Sequence, residues 1–219
     1  MYRQFTAKDF SRQDDADDAN FYAIPRMVVH LDDKAIVRVK DIARRHMPPM
    51  NVRVLDLMSS FRSHLPEDRP YREVIGLGMN SAEMQANPQL KRFLVHDLNK
   101  FPQLPFSNGY FDVVFNIVSI QYLTQPIMVY REVARILRPG GVSIVVFSDR
   151  MFPTKAVRIW RESDDEEHIA LVQEFHRLAN GFSNIQVERY PGGSSNWFRS
   201  NQDPLYAIIA TRRQISEYL

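Results

Sequence analysis

Short apolar runs alternate with stretches of helical period along most of this chain, and no other feature limits its fold as strongly. The runs are 52–57, 74–77, 93–95, 111–118 and 142–147. Between them, Asp32 or Asp33 caps a helix reaching Arg45, with Ile36, Val37, Val39, Ile42 and Ala43 on its apolar side and Pro48-Pro49 as its stop. After the first run the chain turns through Met58-Ser59-Ser60 into at most a turn or two of helix. Asn80 caps the next helix, with Glu83 as its capping-box partner and Pro88 as its break. Pro126 opens another, on which Ile127, Tyr130, Val133, Ile136 and Leu137 share one stripe, and Pro139-Gly140-Gly141 ends it. Strands alternating with helices in this way imply a mainly parallel sheet covered on both faces.

The last third departs from that rhythm. Ser163 followed by four acids starts a helix that runs to Asn180, with Gly181 in the left-handed cap position. Two strands remain, 185–190 and 205–211, joined without a helix, so they form an antiparallel edge. The expected fold is therefore α/β, a Rossmann-like, doubly wound, seven-stranded sheet. At 219 residues, with no internal repeat or low-complexity linker, one domain is expected over 32–219. Residues 1–31 are expected to form a mobile segment or flap, because the first twenty are polar and acid-rich.

Composition excludes several functions. Lys and Arg number 28 against 26 Asp and Glu, a net charge of +2, too small for an electrostatic footprint on nucleic acid. Zero cysteines remove disulfides, thiolate metal sites and a thiol nucleophile, and the six histidines lack the H-E-x-x-H spacing, so no metal site is expected. No apolar span of about 20 residues is present; the expected location is cytoplasmic, without membrane contact. Glycine is scarce, with 8 residues and none before Gly76. That excludes a G-x-G-x-x-G or P-loop cradle near the N-terminus.

The segment LPFSNGYFDVVFNIVSIQYLTQPIMVYREVARILRPGG is the most specific stretch. With the order of elements around it, it resembles the class I S-adenosylmethionine-dependent methyltransferases, and within them the group called methyltransferase type 11. The resemblance runs from about Val52 to Thr211. It implies S-adenosyl-L-methionine as cofactor, bound beyond the carboxyl ends of the strands.

Two cofactor motifs depart from that family. Its first motif, V-L-D-L-G-x-G-x-G, corresponds here to Val54-Leu55-Asp56-Leu57-Met58-Ser59-Ser60-Phe61-Arg62. Asp56 is kept and every glycine is replaced, although glycine there allows close approach and positive φ. Met58, Ser59 and Ser60 remain candidate cofactor contacts, the two serines by donating hydroxyls to the cofactor's carboxylate and Arg62 by pairing with it through charge, or else a serine caps a short helix and Arg62 faces water. The resemblance also implies a ribose-binding acid at the end of the second strand, where Gly78 stands. Met79 and Asn80 are its candidate replacements, against a plain turn in which Gly78 serves the backbone.

The third strand fits better. His96-Asp97-Leu98 follows it, and the resemblance makes Asp97 the partner of the adenine amino group. After the fourth strand, Asn116, Val118 and Ser119 are expected to line the site. Methyl transfer needs alignment and exclusion of water rather than a universal catalytic group. A base is required only for a weakly acidic acceptor; His64 and Tyr122 are the candidates, His96 a weaker one. Gln121, Arg150, Met151, Phe152, Trp160, Trp197 and Phe198 could wall a small-molecule acceptor. The alternative is a non-catalytic binding or interaction protein derived from the same fold.

Overall fold

The computed structural model describes residues 4–192 and 202–214. A 3-10 turn Ala7–Phe10 and a short helix α1 (Asp18–Phe21) precede α2 (Asp33–His46), after which come β1 (Val52–Leu57), β2 (Tyr71–Gly78), α3 (Ser81–Gln85), β3 (Arg92–Val95) and β4 (Phe111–Ile117). A 3-10 turn Ile120–Tyr122 leads to α4 (Pro126–Ile136), β5 (Leu137–Phe147), α5 (Arg158–Arg161), α6 (Asp165–Ala179), β6 (Phe182–Tyr190) and β7 (Leu205–Arg212). One seven-stranded sheet has the order β3-β2-β1-β4-β5-β7-β6. Its first five strands are parallel, and β7 runs antiparallel to both β5 and β6. This is the expected Rossmann-like doubly wound architecture.

Alternation along the strands places apolar side chains on both faces. Val54, Val74, Val113, Phe115, Ile144 and Val146 pack with Ala35, Val39, Ile42 and Ala43 of α2. Leu55, Leu57, Phe111, Val114, Val145 and Phe147 pack on the other face with Tyr130 and Val133 of α4 and Val172 and Phe175 of α6. Val37, expected on the apolar side of α2, is 64% exposed. Among the described residues no helix is long and apolar enough to cross a membrane.

Four local expectations need correction. No helix forms between β1 and β2; residues 58–70 are loop. Pro139, Gly140 and Gly141 do not precede β5 but lie inside it, absorbed by an irregularity in its pairing with β4. Asn180, at φ 56°, takes the left-handed position after α6 rather than Gly181. Gly181 is small for another reason: a Cβ there would collide with that of Ala134 on α4. The N-cap of α6 is Asp164, in a capping box with Glu167, not Ser163.

Candidate functional site

β1 and β4 are paired neighbours whose onward connections leave in opposite directions, to β2 and to β5; at this switch point the carboxyl ends of β1, β2, β3 and β4 open into a cleft of about 440 Å³, the place the topology sets for a ligand. Asp56, the penultimate residue of β1, borders it and is buried. Its Oδ2 accepts from Ser59 Oγ at 2.6 Å and Ser63 Oγ at 2.7 Å. Burial raises its pKa to about 6 against the pull of those two hydroxyls. Asp56 therefore shapes the loop after β1, and Ser59 spends its hydroxyl on that carboxylate.

Met58 follows with φ 60°. It holds the left-handed backbone that glycine allows freely, although methionine adopts it at a cost of roughly 1–2 kcal/mol. His64 and Val118 line the same cleft with φ 53° and 44°. For a β-branched valine such a value is a genuine outlier, and strain of this kind collects at functional sites. The loop thus keeps the backbone shape of a glycine at Met58 without the residue.

At the end of β2 a Cβ on Gly78 would fall on the main-chain carbonyl oxygen of Ser59 and 3.2 Å from Met84 Sδ. Close approach, not a special backbone angle, demands glycine here. No carboxylate can be carried at 78 while Ser59 keeps its place. Asn80 accepts from the amides of Ala82 and Glu83 at 2.9 and 3.0 Å, and its Nδ2 donates to the Tyr22 carbonyl at 2.8 Å. Its amide is committed to capping α3 and holding the N-terminal segment. Glu83 is not a capping-box partner: Oε1 accepts from Arg26 N at 2.7 Å and Oε2 from Ser60 Oγ at 2.6 Å. Ser60 caps no helix, and Arg62 is exposed, with Nη1 on the Phe61 carbonyl.

Asp97, Leu98 and Met79 line the cleft. Asp97 Oδ1 accepts from Asn99 N at 2.9 Å and from Lys100 N at 3.3 Å, the turn role that short acids favour; Oδ2 is 3.8 Å from Lys100 Nζ. His96 also lines it, with Nε2 at 2.7 Å from the Phe101 carbonyl. Val118 and Ser119 form the wall below β4, and the buried Ser119 Oγ has no partner among the described residues. Asn116 lies behind this wall: Nδ2 donates to the Leu57 carbonyl at 3.1 Å, while its buried Oδ1 has no partner among the described residues.

Of the candidate bases, His64 borders the cleft, and burial beside Lys40 and Arg62 lowers its pKa to about 4. Its imidazole is neutral at pH 7. Tyr122 also borders the cleft; its hydroxyl accepts from Phe152 N at 2.9 Å, and burial raises its pKa. Gln121 is turned away, donating to the carbonyls of Val118 and Arg150. Trp160 lies in the core, stacked on His168 at 4.0 Å. Trp197 and Phe198 fall outside the described residues.

The N-terminal segment roofs the cleft with Tyr22, Arg26, Val28, Val29, His30 and Leu31. It is tied to the body rather than hanging free. Arg12 binds both oxygens of Asp18 at 2.7 and 2.8 Å. The buried Lys155 ammonium reaches Asp14, Asp18 and the Ala16 carbonyl. Phe152 then gathers Phe21, His30 and Tyr122 around one end of the cleft, at ring separations of 5.4, 5.4 and 6.0 Å. Sequence reading missed Tyr22, Arg26, His30 and Glu83. The one available signal was Arg26, the sole charged residue between Asp18 and Asp32 if His30 is neutral.

A family model described as "Methyltransferase domain" matches residues 60–145. The malonyl-[acyl-carrier protein] O-methyltransferase of Marinomonas sp. (strain MWYL1) is 22% identical over 109 residues, 48% of this chain. The match spans only 40% of that relative's length. Phosphoethanolamine N-methyltransferase 2 of Haemonchus contortus, solved with S-adenosyl-L-methionine, superposes with a TM-score of 0.59 at 14% identity, covering 81% of this chain and 53% of that one. An S-adenosylmethionine-dependent methyltransferase from Mesorhizobium loti superposes at 0.54 with 16% identity, covering 78% of this chain and 96% of its own. Strand order, cleft position and these likenesses agree: the chain has the Rossmann-like class I S-adenosylmethionine-dependent methyltransferase fold.

Proposed function

We propose that this protein is an S-adenosyl-L-methionine-dependent methyltransferase acting on a small-molecule acceptor. The observation that carries the reading is the cleft itself, opening at the carboxyl ends of β1 to β4 with Met58 holding a glycine-like backbone where the family has its first glycine. The residues present fit such a cofactor. Asp97 Oδ2, with Lys100 Nζ 3.8 Å away, accepts no hydrogen bond among the described residues and can take one from an amino group, Met79 and Leu98 offer apolar flanks, and Ser119 Oγ is a buried hydroxyl without a partner among the described residues. When bound, the sulfonium supplies an activated methyl group for in-line displacement. The protein aligns the acceptor, excludes water under the roof of residues 22–31, and offers neutral His64 as a proton acceptor.

A second reading, a non-catalytic binding protein of the same fold, is favoured by position 78. No side chain fits there, and the Asn80 amide is already committed, so the expected ribose contact has no side-chain donor or acceptor at the end of β2.

Calorimetric titration and thermal shift with S-adenosylmethionine and S-adenosylhomocysteine test both. A ligand bound only by the folded state stabilises it by about 2.7 kcal/mol at a hundredfold excess over Kd. Absence of heat and of any shift at millimolar ligand overturns the cofactor assignment. Binding to both, with no methyl loss to any acceptor in a broad screen, favours the second reading. Asp97→Ala is expected to weaken binding by roughly 1–3 kcal/mol; unchanged affinity places the adenine elsewhere.

A further inference from the structure

Arg26 is the unusual charge in the cleft. Its backbone is pinned by Glu83, its guanidinium lies 4.3 Å from the Phe21 ring centre and 5.6 Å from that of Phe152, and the residue borders the cavity. Among the described residues it makes no ion pair, and its Nη1 is closed off from water with nothing to donate to. The other cationic side chains of the lining are accounted for. Arg150 is bound to Asp203 at 2.7 Å, and Arg62 stands exposed on its own Phe61 ring and carbonyl. Of the lining acids, Asp18 is paired with Arg12 and Lys155, Asp56 accepts from Ser59 and Ser63, Glu83 accepts from Arg26 N and Ser60, and Asp97 stands 3.8 Å from Lys100 Nζ.

An arginine that lines a cleft without an ion pair leaves its charge for an anionic ligand. A guanidinium fixed against aromatic faces presents a planar fork suited to two parallel bonds with a carboxylate. Around it the wall is apolar and aromatic: Met151, Phe152, Tyr22 and Tyr122. We propose that Arg26 recognises the carboxylate of an apolar carboxylic acid whose hydrocarbon or aromatic body lies against Phe152. Taken with the methyltransferase reading, on which it rests for its meaning, this acid is the methyl acceptor: a carboxylate oxygen would form the new O–C bond as the methyl's S–C bond breaks, giving the neutral methyl ester and S-adenosylhomocysteine with no proton to remove.

The test is a titration of the full chain, with and without saturating S-adenosylhomocysteine, monitored by ligand NMR line broadening. Benzoate, 3-phenylpropionate and octanoate are compared with their neutral amides. Wild type is expected to bind at least one acid about tenfold or more tightly than its amide. Arg26→Gln is expected to remove that preference, and Arg26→Lys, which keeps charge but not the fork, to retain part of it. Circular dichroism and S-adenosylhomocysteine affinity report whether the variants stay folded. If Arg26→Gln does not fold, the wild-type preference and its reduction in Arg26→Lys decide. Equal binding of acid and amide, a preference that survives loss of the guanidinium, or no acid binding up to about 10 mM overturns the proposal. Acid selectivity without S-adenosylhomocysteine binding leaves the Arg26 site standing and removes the methyltransferase reading.

Discussion

The main-chain carbonyl of Ser59 stands where a side chain on Gly78 would begin. Two loops, from the ends of adjacent strands, thus touch backbone to backbone, and the Ser59 amide donates to the Leu77 carbonyl at 2.8 Å beside the contact. Gly78→Ala is expected to destabilise by about 2–3 kcal/mol, the upper part of the roughly 1–3 kcal/mol that forced overpacking costs, or roughly 5–10 °C in Tm for a chain of this size. Gly78→Asp should behave no better and bring no gain in ligand affinity. A melting temperature equal to wild type would show that the contact yields easily.

Met58 permits a test of its backbone. At φ 60°, Met58→Ala and Met58→Gly remove the same packing, but only glycine relieves the left-handed strain. Met58→Gly is expected to be more stable than Met58→Ala by about 1 kcal/mol, the reverse of the order in a helix interior. Urea denaturation of the two variants measures the difference, and alanine proving the more stable would contradict the left-handed assignment.

Asp56 and the buried histidines pull stability in opposite directions between pH 4 and 6.5. The Asp56 pKa is raised from 3.8 to about 6 by burial, so its contribution is full below about 4 and is lost as pH rises through 6. His64 and His176 are lowered from 6.5 to about 4; theirs is full above 6.5 and lost as pH falls toward 4. In the wild type the two partly cancel. Asp56→Asn removes one side, so acidification from pH 6.5 to 4 should cost this variant about 3 kcal/mol more than wild type. Parallel stability curves in urea from pH 4 to 8 would refute the assignment.

Lys155 is fully buried and holds Asp14, Asp18 and the Ala16 carbonyl. Lys155→Met leaves buried acid without part of its compensation, a loss of roughly 3–5 kcal/mol. Because those partners all belong to the N-terminal segment, cleavage by chymotrypsin at Phe21 or Tyr22 should accelerate first. Cleavage at the wild-type rate would mean that the other ties of the segment, among them Asn80 on the Tyr22 carbonyl and Glu83 on the Arg26 amide, hold it without Lys155.

Much of the sheet was legible because burial on both faces leaves a plain signature: β1 coincides with its apolar run, and β4 and α4 nearly so. Punctuation residues misled where tertiary packing reused them. Pro139-Gly140-Gly141 reads as a break, yet pairing with β4 carries β5 through it. Gly181 reads as a left-handed cap, yet its task is to let Ala134 approach, and Asn180 takes the left-handed turn. The cleft was legible at Asp56 and Asp97, whose positions follow from strand ends. Met58 was placed at the cleft by its motif position, but its left-handed backbone was not legible, since nothing about a methionine announces positive φ. Glu83 was read through its near neighbour Asn80, while its true partners, Arg26 and Ser60, lie 57 and 23 residues away.

Those two bonds give Glu83 a consequence of its own. One carboxylate accepts from the roof through Arg26 and from the β1 loop through Ser60, each by a separate oxygen. The two walls are therefore not independent parts. A substitution at Glu83 would loosen both walls at once, and the sequence of the roof is answerable to the loop beneath it.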